Sequence, residues 1–166
     1  MPLALIVLVT GTLIAAFIDL RVRRIPNALT ATMALAAVAF HVAGGTGALL
    51  TVLAAMGAPF VLGTLAFSAG WFGGGDVKLL SAACGLVSFP GCVSLVLFIL
   101  IAGAVLALVQ AARRRRLASL VRSAYALVHA GSAPQTGTLL PYGVAIAGGS
   151  AAYAVSTWFP ALRLPL

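Results

Sequence analysis

Six apolar runs, most of them close to the length that a helix needs to cross a bilayer, take up the greater part of this chain. They cover roughly residues 3–20, 28–43, 48–69, 77–89, 92–112 and 138–158, the fourth being short. A hydrocarbon core about 30 Å thick takes about 20 helical residues. Lipid offers backbone N–H and C=O groups no partner, so each run must satisfy them internally as a helix. Transmembrane strands would alternate apolar and polar residues, and no run does so. The expectation is an all-α, polytopic membrane protein of about six transmembrane helices, a single domain over residues 1–166. Only 7% of the residues are charged, against roughly a quarter in soluble domains. The first run lacks a basic leader and a small-residue cleavage site, and reads as a retained helix rather than a signal peptide.

The few charges are informative. There are nine Arg, one Lys, two Asp and no Glu. A basic excess can mark nucleic-acid binding. Here the Arg residues lie between apolar runs, as the positive-inside rule describes, so the expected partner is the lipid bilayer and not nucleic acid. Placing Arg21, Arg23 and Arg24 on the cytoplasmic side puts the loop 70–76 (GWFGGGD) and the Arg cluster 113–116 on that side too. The uncharged turns at Gly44, Gly45 and Gly47 and at Phe89-Pro90-Gly91 then face the periplasm, with both termini. Arg163 is a mild exception. Within 113–137, Leu117, Leu120, Val121, Ala124 and Val128 follow helical spacing. They fit an amphipathic helix on the cytoplasmic leaflet and a packed connector equally well. Cys84 and Cys92 form no CxxC and have no nearby His, so they read as buried free thiols, with no metal site and no cofactor. His41 and His129 belong to no recognisable triad, and no HExxH is present.

Asp19 and Asp76 are the only acidic side chains. Carboxylates at a membrane edge are costly and usually functional. Asp76 follows three glycines and precedes an apolar run, so it could serve as an N-cap. Asp19 could pair with Arg21 or Arg24. It ends the first helix, where the dipole is negative, and no capping role explains it there. The topology puts both at one membrane edge. Two carboxylates held close share a proton. The ionised one can then take a proton from water while the neutral one polarises a carbonyl. Gly73, Gly74 and Gly75 would let an extended substrate come close to the backbone, or they form only a tight turn.

The segment Asp19-Leu-Arg-Val-Arg-Arg-Ile-Pro-Asn27 resembles the first-aspartate motif of type IV prepilin peptidases. Gly73-Gly-Gly-Asp-Val-Lys78 resembles their GxGD motif, and Pro141-Tyr-Gly143 their third short signature. Order and spacing match over essentially the whole chain, and the short form resembles the CpaA/TadV branch, which serves Flp-type pili. The resemblance implies a membrane aspartic endopeptidase of the bacterial inner membrane. It would remove the leader of a prepilin (a Flp-type pilin or pseudopilin precursor) at the cytoplasmic face. It implies Asp19 and Asp76 as the catalytic pair and Gly73, Gly74, Gly75, Lys78, Arg24, Pro26, Asn27, Pro141, Tyr142 and Gly143 as supporting or substrate-binding residues. The chain lacks the cysteine-bearing insertion and extra N-terminal length of longer members, so methyltransferase activity is not expected. Two other readings remain in play. A small transporter would carry its acids near the bilayer midplane, and a non-catalytic subunit of a pilus or secretion assembly would tolerate loss of either Asp.

Overall fold

The apolar runs fold as helices. A computed structural model describes residues 2–42, 44–113 and 142–159. Six helices lie among the described residues, and no strand: α1 Pro2–Val22, α2 Asn27–Val42, α3 Gly45–Ser68, α4 Gly74–Val87, α5 Gly91–Arg113 and α6 Tyr142–Trp158. The proposed leaflet helix over 117–128, most of the Arg cluster and Pro141 lie outside the described residues.

α1, α3 and α5 are long and apolar enough to span a bilayer by length and composition; α2 is shorter but apolar. These helices are apolar on their outward faces too. Leu13 and Phe17 of α1, Leu62 and Leu65 of α3, and Leu100 and Leu108 of α5 are all exposed. A soluble protein rarely tolerates so much contiguous apolar surface, whereas lipid covers it at no cost. The protein is a membrane protein.

α4 differs from its neighbours. Its 14 residues make a helix only about 21 Å long, yet it is buried along most of its length, from Val77 and Leu79 through Ser81 to Leu86. It packs against α1, α2, α3, α5 and α6. Wrapped in protein, it does not need the outward apolar face that α3 and α5 present. Its Ser81 hydroxyl donates to the Met56 carbonyl of α3 at 2.7 Å, satisfying a buried polar group. α6 lies between α1 and α5 and touches α4 only narrowly. Cys84 and Cys92 are buried free thiols, as expected.

The link into α4 is set by the end of α3. Gly70 takes a left-handed φ of 77°, which glycine adopts without a Cβ clash. The Trp71 N–H then bonds the Ala66 carbonyl at 2.9 Å and the Gly70 N–H bonds the Phe67 carbonyl at 2.9 Å. This double closure is a Schellman motif, and it turns the chain toward Asp76. By composition residues 70–76 read as a loop. In the structure Gly74, Gly75 and Asp76 already form the first turn of α4, because glycine, weak in a helix interior, is tolerated where the next turns are held by packing.

Candidate active site

Asp76 is the third residue of α4, not its N-cap, which is Gly73. Its carboxylate folds back and accepts the Gly73 N–H, Oδ2 to N 3.2 Å. That is the acidic half of a capping box. A Cβ on Gly73 would lie 2.8 Å from that same Oδ2, and one on Gly75 would lie 3.2 Å from the Ile25 Cβ. The glycines at 73 and 75 therefore have a packing reason of their own, independent of any substrate.

Asp19 is in the last turn of α1. It makes no ion pair with Arg21 or Arg24; the Arg21 guanidinium lies instead over the Phe17 ring, 4.6 Å from its centroid. The Asp19 Oδ2 accepts the Gly143 N–H at 3.2 Å. Gly143 is at the start of α6, where free N–H groups and the positive end of the dipole favour a negative charge. From sequence no capping role explains Asp19; the fold corrects this by supplying the Gly143 N–H. The unfavourable end of its own helix is offset by the favourable end of another, supplied 124 residues along the chain.

The two carboxyl groups are close enough to influence each other. Asp76 lies ahead of the fourth apolar run. Burial pushes its carboxyl up from 3.8 to about 6; the Asp19 charge pushes the same way, and the Gly73 N–H opposes both. The sign for stability follows. The folded state holds this proton more tightly than the unfolded chain, so stability falls as pH rises from 3.8 to about 6. Asp76→Asn keeps an oxygen for the Gly73 N–H and loses the buried charge. It is expected to melt higher than the wild type in detergent above that range and level with it in acid. A lower midpoint at alkaline pH contradicts this.

Beside Asp76 opens an apolar cavity of about 280 Å³ lined by Phe72, Leu80, Val96, Leu100, Gly103 and Tyr142, among others. The Phe72 and Tyr142 rings meet there, centroids 4.8 Å apart and tilted by 47°. Neither Phe72 nor the α5 lining residues were singled out from sequence. Only the small-residue spacing of Gly103, Ala104 and Ala107 hinted at a helix face kept clear.

Lys78 and Asn27 meet on the other side of α4, where the Lys78 Nζ donates to Asn27 Oδ1 at 2.9 Å. Two residues along a helix turn the side chain by about 200°. They thus line a second cavity of about 340 Å³, with Thr30, Met56, Phe60 and Ser81, and tie α2 to α4 away from the carboxyl groups. Arg24 and Pro26 are exposed in the α1–α2 turn.

Gly143 has little room. A Cβ there would lie 3.0 Å from both the Asp19 Cβ and Oδ2. Gly143→Ala is expected to leave a folded protein and to lower any activity that needs Asp19 in place by about 10- to 100-fold, the cost of a misplacement near 1 Å. Full activity in Gly143→Ala contradicts a working role for this contact.

A bundle of apolar helices with one acid at the end of α1 and the other at the start of α4, the second beside an apolar cavity, defines a class, a polytopic membrane protein with a carboxylate pair at one end. The chain belongs to the type IV leader peptidase family, whose family model matches residues 6–108, more than half of its 166 residues. The matched segment contains Asp19 and Asp76. No curated protein and no solved structure gives a significant match.

Proposed function

We propose that this protein is an aspartic endopeptidase that removes the leader of type IV or Flp-type prepilins at the cytoplasmic face of the bacterial inner membrane. The observation that carries the reading is how the chain's only two acids are placed: Asp19 at the end of α1 accepts the Gly143 N–H, Asp76 at the start of α4 accepts the Gly73 N–H, and the rings of the residues just before those two donors have centroids 4.8 Å apart.

Burial favours the protonated form of Asp76, so Asp76 donates a hydrogen bond to the scissile carbonyl oxygen. Asp19, held by a backbone N–H at a helix N-terminus, carries the negative charge and takes a proton from water. The water oxygen bonds to the carbonyl carbon, whose oxygen receives the Asp76 proton. When the C–N bond breaks, the leaving nitrogen takes the proton held by Asp19, the carbonyl re-forms, and Asp76 regains its own. The aspartates alternate and no cofactor is consumed.

The substrate expected is a small pilin precursor with a short basic leader followed by a long apolar helix. The bilayer holds the helix, and the junction comes to the membrane edge where α1 ends and α4 begins. Two measurements test this. Reporter fusions after residues 24 and 75 should read as cytoplasmic and those after 46 and 91 as periplasmic; a periplasmic reading after 75 ends the cytoplasmic-face reading. Mass spectrometry of a co-expressed pilin should show leader removal without a one-methyl increment on the new amino terminus. An uncut precursor beside folded protein overturns the substrate, and a methyl group that depends on this chain alone overturns the peptidase-only reading.

A further inference from the structure

Each carboxyl group is held by one backbone N–H, and each donor follows an aromatic residue. Gly73, which holds Asp76, comes directly after Phe72; Gly143, which holds Asp19, comes directly after Tyr142. Those two aromatic rings touch each other, with centroids 4.8 Å apart. A continuous path therefore runs from Asp19 through Gly143 and Tyr142 to Phe72, Gly73 and Asp76.

The path matters because it joins the two donors: α1 packs on α4 directly, but Gly143, which holds Asp19, belongs to α6. α6 packs broadly on α1 and α5 and only narrowly on α4. On the Phe72 side the Gly70 turn, the Gly73–Asp76 hydrogen bond and the close approach of Gly75 to Ile25 hold the chain locally, and none of these contacts is with α6. Tilted aromatic contact is directional as well as apolar, and it adds a constraint between that segment and α6. We propose that the Phe72–Tyr142 pair is the strut that sets the separation of the two carboxyl groups, which makes both residues positioning residues for leader hydrolysis. The proposal rests on the two-aspartate reading above. The Tyr142 hydroxyl plays no part in it; the ring does.

The competing role for the two rings is substrate contact, since both line the cavity beside Asp76. Kinetics separate the two. A strut acts on the reacting geometry and so on kcat; a substrate contact acts on KM. For purified full-length protein in vesicles, Phe72→Ala and Tyr142→Ala should each lower kcat about 10- to 100-fold with little change in KM. The double variant should be no worse than the poorer single one, because one ring alone braces nothing. Tyr142→Phe should restore wild-type kcat. A raised KM with kcat intact overturns the proposal, and so does a Tyr142→Phe variant as slow as Tyr142→Ala.

A second measurement needs no activity and judges the strut even if the peptidase reading fails. Asp19→Cys and Asp76→Cys are combined with Cys84→Ala and Cys92→Ala, and oxidative cross-linking between positions 19 and 76 is followed in membranes. Adding Phe72→Leu, which keeps apolar bulk and folding, should slow cross-linking several-fold. An unchanged rate overturns the strut. Absence of cleavage by the wild type, with cross-linking that does respond to Phe72→Leu, sinks the peptidase reading and leaves the strut standing.

Discussion

Asp19→Asn and Asp76→Asn are each expected to lower leader cleavage by at least about 10³-fold, within the 10² to 10⁴ that general acid–base groups supply. Neither change should unfold the protein. An Asn oxygen can still accept the Gly143 or Gly73 N–H that the carboxylate accepts now, so local capping survives while proton transfer does not. The two groups work as one unit, and the double variant should be no slower than either single variant. This separates chemistry from capping. If the acids served only the helix ends, both variants would keep near wild-type cleavage.

The second large effect falls on the scaffold. A Cβ on Gly149 would lie 2.4 Å from the Ile99 Cα and 2.6 Å from its backbone nitrogen. Backbone cannot rotate aside as a side chain can, so Gly149→Ala must push α6 away from α5. Overpacking of a core costs about 1–3 kcal/mol and sometimes more; a collision with backbone belongs at or above the top of that range. Because α6 also delivers Gly143 to Asp19, activity should fall with stability. The adjacent Gly148 is the control. It is exposed, and a Cβ there would sit 3.8 Å from Ala102 in ordinary contact. Gly148→Ala should shift the melting midpoint little. Equal midpoints for the two variants contradict the close α5–α6 packing.

Much of this architecture was legible because lipid leaves the chain few choices. The apolar runs at 28–43 and 92–112 correspond to α2 at Asn27–Val42 and α5 at Gly91–Arg113. The α3–α4 boundary was harder. Glycines at 73–75 signal a turn by composition, and only packing from five neighbouring helices lets two of them enter α4. Asp19 and Asp76 stood out as the sole acids, but hydropathy has no access to what holds them. The donor to Asp19 comes from 124 residues along the chain, beyond the reach of any local capping pattern. Phe72 was missed for a related reason. One aromatic residue in a glycine-rich loop carries no periodicity, and its meaning comes from the Tyr142 ring that the fold sets against it. Motif order groups Lys78 and Asn27 with the carboxylates; helical rotation turns Lys78 to the opposite face of α4 from Asp76, where it meets Asn27 at the start of α2.

The most direct test uses the purified protein in lipid vesicles with one synthetic precursor, in water enriched in heavy oxygen. Activated water predicts cleavage by the wild type in a single turnover, with one heavy oxygen atom in the new carboxylate of the leader, and no product from Asp76→Asn under the same conditions. Cleavage by Asp76→Asn at the wild-type rate would contradict the account.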